Sequence, residues 1–203
     1  KVSGIINGTT NYILSRMDKE GVNYAEVLKD AQALGYAESD PAADVEGSDA
    51  ADKIAILSGL AFGGAINRAN IPTTGINLLE AIDVNYAKKL GYGIKLLAIS
   101  EKGETPSNIE NSQALSVWVE PTLVPEDNPL AGVNGVNNAI LVEGNPVGQV
   151  MFFGPGAGSG PTASAVVADI LNIAGIKSMS EDKVFNLDPL LSAKGWRNCH
   201  VAE

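Results

Sequence analysis

Hydrophobic and polar positions divide the chain into short, recognisable segments. Residues 1–7 are rich in β-branched side chains and read as a strand. The polar run Gly8-Thr9-Thr10-Asn11 then supplies a turn and a candidate cap for a helix over residues 12–17. Ala25, Leu28, Ala31 and Leu34 recur at helical spacing, and Gly35 stands where that helix should stop. Residues 37–48 are acidic and broken by Pro41, which predicts a loop. Asp49 and Asp52 precede Ile54, Ala55, Leu57, Leu60, Ala61 and Phe62, so a largely buried helix should run to about Gly63 with acids at its positive end. Extended segments follow at 73–78, 94–100, 115–119, 138–142 and 149–153, the last two joined through Gly144-Asn145-Pro146. Helices are predicted over 80–90 and 162–174, the second small and aliphatic enough to pack closely on neighbours. The elements lack the regular strand-helix cycle of a doubly wound domain, so the expected class is α+β, a mixed β-sheet covered by helices.

The bulk numbers narrow the function classes. A length of 203 residues with 45% hydrophobic content supports a buried core. Against 14 basic residues stand 24 acidic ones, a net charge of -10, and such a field repels polyanions, so nucleic acid is not an expected partner. Cys199 is the single cysteine, which excludes an internal disulfide and favours a reducing, cytoplasmic setting. No apolar run is long enough to cross a bilayer, so no membrane partner is expected. The chain opens on an apolar segment without methionine, and the expectation is a piece cut from something longer. Residues 1–177 should form the working domain and 178–203 a polar tail or linker.

Three constellations carry candidate chemistry. Residues 35–53 crowd Glu38, Asp40, Asp44, Glu46, Asp49 and Asp52 around Lys53. A solvated acidic loop with an Asp49–Lys53 pair one helical turn apart would explain this at a value of only a few tenths of a kcal/mol. Lys53, however, falls in the first helical turn, where the macrodipole disfavours a cation, and adjacent carboxylates could hold it charged while binding a substrate amino group. The second constellation, residues 153–163, is glycine-rich and lies between a strand and a helix, where bare backbone can approach a ligand. It fails the G-x-G-x-x-G spacing, since Pro161 stands three after Gly158, and for the motif taken alone a tight strand-helix corner is the preferred explanation. The third, residues 4–12, opens a helix and has an ordinary cap as its plain explanation. His200 beside Cys199 has no second histidine, so neither a metal site nor a Cys-His pair is expected.

Together the three segments resemble homoserine dehydrogenase. That family's N-G-T-x-N-Y-I turn stands here at Asn7 to Ile13. Its G-Y-x-E-x-D-P with a following D-x-x-G-x-D-x-x-x-K stands at Gly35 to Pro41 and Asp44 to Lys53, and its G-x-G-A-G-x-x-P-T-A at Gly154 to Ala163. The resemblance implies interconversion of L-homoserine and L-aspartate 4-semialdehyde with NAD or NADP, on the aspartate-derived route to threonine and methionine. It assigns Lys53 as proton donor, Glu38, Asp44 and Asp49 as substrate-binding carboxylates, Tyr36 and Thr9 as pocket residues, and Gly158 as a cofactor contact. Reduction of an aldehyde needs a proton on oxygen, and an ammonium held charged by acids can both polarise that oxygen and supply the proton. The family's Rossmann domain, with a further lysine and a monovalent-cation site, has no counterpart in these 203 residues, nor has its regulatory ACT domain. The isolated chain is therefore expected to be nearly inactive, with most of the cofactor held elsewhere. The family also implies a homodimer formed through the sheet region. A contrasting expectation is an amino-acid-binding dimerisation module without catalysis. Phosphoryl transfer is disfavoured because Pro161-Thr162 stands where a Walker lysine would be needed.

Overall fold

The computed structural model describes residues 1–103 and 115–178. Strand β1 (Val2–Ile5) leads into α1 (Gly8–Glu20), α2 (Tyr24–Ala33), the short α3 (Ala42–Val45) and α4 (Ser48–Phe62). Helix α5 (Ala81–Lys89), strands β2 (Tyr92–Lys102), β3 (Leu115–Pro125), β4 (Asn137–Gly144) and β5 (Gly148–Pro155), and helix α6 (Ser159–Ser178) complete it. The five strands form one sheet in the order β3-β2-β1-β4-β5.

The α+β class is as expected, but every ladder of this sheet is antiparallel. Among the described residues the parallel element of the expected mixed sheet is reduced to an isolated bridge between Thr73 and Val119. Hairpins supply the reason. β2-β3 and β4-β5 each pair with their sequence neighbour, and β1 bridges the hairpins in the one central slot left, with Gly4 opposite Ala98 on one side and Ile140 on the other. Residues 73–78 therefore make no strand; Gly75 presses on the Val45–Glu46 backbone and Ile76 N–H donates to the Val45 carbonyl, so the segment braces the acidic loop instead.

One sheet face is covered by helices. Ile13, Leu14, Met17, Val27, Ala31 and Ile54 pack there against Val2, Leu96, Ala98 and Val119. Truncating a side chain as enclosed as Ile13 to alanine should cost roughly 2–5 kcal/mol. The opposite face holds a smaller cluster, in which Leu130 and Val133 of the β3-β4 crossover cap Ile5, Leu97, Ile99 and Leu141.

That crossover is pinned by a buried lysine. Lys95, 4% exposed, donates from Nζ to the Val133 carbonyl (2.6 Å), Asn134 Oδ1 (3.0 Å) and Asn11 Oδ1 (3.3 Å). Three acceptors match the three donors of an ammonium, yet all are neutral. Burial accordingly pushes the Lys95 pKa down to about 8, with the charge of Asp18 opposing the shift.

Several local expectations are corrected. Helix α1 begins at Gly8, earlier than predicted, because Asn7 rather than the Thr-Thr-Asn run is the cap and accepts from Thr10 N–H. The acidic loop contains α3, nucleated where Asp40 Oδ1 accepts from Ala42 N–H just after Pro41. Helix α4 is half-exposed rather than largely buried, with Ile54 and Ser58 inside but Ile56 and Leu60 outside. Helix α6 is not packed as its composition suggested: Val166, Ile170 and Leu171 are all exposed. The expected tail over 179–203, with Cys199 and His200, lies outside the described residues.

Candidate functional site

The site is assembled where β1 runs into α1. After Ile5 the chain turns at Asn7, whose extended backbone makes it the N-cap of α1. All three hydrogen bonds of interest at its amide are made: Oδ1 accepts from Thr10 N–H at 2.9 Å, and Nδ2 donates to Asp44 Oδ1 at 2.7 Å and Asp49 Oδ2 at 2.9 Å. One 5% exposed side chain thus ties the α1 cap to two carboxylates that lie 37 and 42 residues away. The sequence points to a cap in the Gly8-Thr9-Thr10-Asn11 run instead, and the hold of Asn7 on two distant carboxylates has no signal there, because helix caps carry no signature of what their remaining donors touch.

Asp44 and Asp49 are set by a sharp turn. Gly47, with φ +86°, lets α4 follow α3 with two residues between them, placing Asp49 in the first turn of α4 and Lys53 one turn later. Lys53 Nζ lies 2.7 Å from Asp49 Oδ2 and donates also to the Ile6 carbonyl at 3.1 Å. The acid offsets the macrodipole's disfavour for this cation. The pair is not deeply buried, with 47% and 32% of the two side chains exposed, so it adds little to stability.

Around these groups lies a polar cavity of about 380 Å³, whose wall includes Thr9, Tyr36, Asp44, Asp49, Lys53 and Gly158. Thr9 Oγ1 donates to the Tyr36 carbonyl at 2.7 Å, and the Tyr36 ring tilts against Tyr12 at 4.9 Å between centroids. Six of the seven sequence-predicted residues therefore meet at one cavity. Glu38 is not among its lining residues. It is exposed, and the contact described for it is through its backbone carbonyl, which accepts from Gln32 Nε2 at 3.0 Å. Asn7 and Asn138 are the polar lining residues that sequence reasoning left out of the site.

A second cavity, of about 490 Å³, opens on the other side of Lys53 and is lined by apolar side chains including Ile6, Ile56, Ile140, Phe152 and Phe153. Asn138, Lys53 and Gly156 belong to both walls. Two carboxylates against one ammonium leave the polar chamber with one uncompensated negative charge, while the adjoining chamber suits an apolar, flat group. Among the described residues no cluster of histidine, cysteine and acids could hold a metal ion, and no helix is long and apolar enough to cross a membrane.

Comparison with known proteins bears on the family and the fold. The family model described as homoserine dehydrogenase matches residues 1–171. The chain is 55% identical over 201 residues to a homoserine dehydrogenase of Synechocystis, covering 99% of this chain and 45% of that protein. It is 50% identical over 173 residues to one from Neisseria gonorrhoeae, covering 85% and 38%. A solved homoserine dehydrogenase from Thiobacillus denitrificans superposes with a TM-score of 0.82 at 47% identity, over 88% of this chain and 40% of that one. A hyperthermophilic archaeal homoserine dehydrogenase mutant in complex with NADPH superposes at 0.65 with 29% identity, over 84% and 46%. The chain thus spans less than half the length of these relatives.

Proposed function

The chain belongs to the homoserine dehydrogenase family, and from that premise we propose that it carries the substrate half of an NAD- or NADP-dependent oxidoreductase interconverting L-homoserine and L-aspartate 4-semialdehyde. One observation carries the reading: a single chamber brings an ammonium, Lys53, within 2.7 Å of one of two carboxylates that are themselves braced by Asn7. An amino alcohol or amino aldehyde presents a cation at one end and a neutral oxygen at the other, and this wall offers each end a complementary group.

Asp44 and Asp49 attract the substrate ammonium through the uncompensated charge; Glu38, exposed and outside this chamber's lining, joins them only if its loop turns inward when the substrate binds. The Lys53 ammonium has three donors, of which Asp49 and the Ile6 carbonyl take two. The third donates to the substrate oxygen, polarising the aldehyde and giving its proton as the alcohol forms. In the oxidative direction the same nitrogen takes the hydroxyl proton. Tyr36 and Thr9 shape the pocket, joined through the Thr9 Oγ1 bond to the Tyr36 carbonyl. The apolar chamber beside Lys53 fits a nicotinamide ring, and Gly158, with φ +117°, offers bare backbone on the wall of the adjoining polar chamber. The cofactor, when bound, supplies hydride transfer; the residues of this chain bind and orient the substrate and move the proton at its oxygen. The reading extends to a cytoplasmic, homodimeric enzyme of the threonine and methionine route, the dimer using edge strands of the sheet.

The test is homoserine-dependent reduction of NAD and of NADP, measured with the chain itself and with the chain joined to the portion of a relative that it does not span. Turnover that collapses in Lys53→Ala while the fold persists is the expected result. Absence of turnover in both forms, or full turnover without Lys53, contradicts it. Retained homoserine binding with no turnover in either form would favour the amino-acid-binding module instead.

A further inference from the structure

Asn138 is polar, lies on the wall between the two chambers, and has no role in the account above. Its Oδ1 is sealed from water and has no hydrogen-bond partner among the described residues. A buried acceptor left unpaired costs on the order of 1–3 kcal/mol. Native structures seldom keep such a group without a purpose.

The surroundings are shaped to admit this amide. A Cβ built on Gly156 would fall 2.6 Å from Asn138 Cγ, and one built on Gly8 would fall 2.8 Å from the Val136 carbonyl oxygen and 3.7 Å from Asn138 Oδ1. Two glycines, one opening α1 and one following β5, thus leave a slot that side chains would fill. Asn138 faces Gly154 across the β4-β5 ladder, so its backbone is fixed by the sheet and the slot is a rigid feature.

We propose that Asn138 is a ligand-positioning residue whose amide pairs with the carboxamide on the nicotinamide ring. The inference rests on the oxidoreductase reading. Among the described residues, Lys53 and Asn138 are the only polar side chains on the wall of the apolar chamber. A flat, largely apolar ring with a single amide on its edge has the same distribution of polarity, and Lys53 is already engaged with the substrate oxygen. The unpaired oxygen accepts the N–H of the ring amide; a half-turn of the Asn138 side chain exchanges its two ends, so the acceptor can be presented at either side of the slot. The pairing fixes which face of the ring meets the substrate, and any side chain at position 156 would displace it.

The test is fluorescence titration of the chain, joined to the portion of a relative that it does not span, with reduced nicotinamide cofactor and with its 3-acetylpyridine analogue, which keeps the ring carbonyl and lacks the N–H donor. Asn138→Leu is compared with the parent, and Asn138→Ser gives a smaller second variant should leucine disturb the slot. Parent protein should prefer the nicotinamide form by on the order of tenfold, and both variants should lose that preference. The melting temperature without ligand should be unchanged or raised, because the variants remove no intramolecular hydrogen bond. Preference retained in both variants overturns the proposal, as does a rise confined to the homoserine KM, which would assign the amide to substrate. Failure of the parent to bind either cofactor form sinks the oxidoreductase reading itself, a different outcome from retained preference.

Discussion

Two lysines separate the working region of this molecule from its supporting region. Lys53 stands on α4 at the edge of a cavity, half exposed, 2.7 Å from a carboxylate. Lys95 stands on β2 beneath the β3-β4 crossover, almost wholly buried, and meets only neutral oxygens. The first is paired with a carboxylate and still reachable from a cavity; burial among neutral oxygens makes the second a pin whose charge is disfavoured. Partner chemistry and access, rather than residue type, decide which lysine can act on a ligand.

The sharpest way to break this contrast is to remove each amine in turn. Lys53→Ala should lower kcat by about 10²–10⁴ with the melting temperature little changed, as for loss of a proton donor held by an exposed pair. A fall in activity matched by a fall in stability would instead make Lys53 structural. Next in size is Asn7→Ala, which frees both carboxylates and uncaps α1. It should raise the homoserine KM on the order of tenfold and cost about 0.5–2 kcal/mol in denaturant unfolding. An unchanged KM would separate the brace from the site.

Lys95 carries a pH signature of its own. Its folded pKa is depressed to about 8 from an ordinary value of 10.5. Between these values the unfolded chain binds a proton that the folded chain has released. Stability contributed by this group is therefore present above about 10.5 and lost as pH falls through about 8. Against Lys95→Met, which cannot titrate, the parent should gain relative stability as pH is raised from about 8 to about 10.5. Parallel curves would show that the buried amine is not strained. The smallest effect belongs to the exposed Arg68–Asp52 pair at 2.7 Å, where Arg68→Ala should change unfolding by less than about 1 kcal/mol.

Much of this was legible in the sequence, and what was not has physical causes. The helix over 80–90 and the β4-β5 hairpin follow directly from periodicity and turn residues, and the acidic loop with Lys53 announced itself by charge crowding. Long-range relations were not legible: periodicity in residues 73–78 reports extension, but whether an extended segment joins a sheet depends on which partners reach it first. A cap at the start of α1 was legible because capping is local, although it falls on Asn7 just before the expected run, while the grip of Asn7 on Asp44 and Asp49 depends on the turn at Gly47. Lys95 gave no signal inside an apolar strand, and Asn138 none at the start of another.

The central claim is that Lys53 and the Asn7-braced acids converge on one bound amino alcohol. A crystal structure with L-homoserine tests it most directly. The account predicts the substrate hydroxyl within about 3 Å of Lys53 Nζ and the substrate ammonium at Asp44 and Asp49. Homoserine bound away from this chamber, or bound in it with Lys53 turned out to solvent, would contradict it.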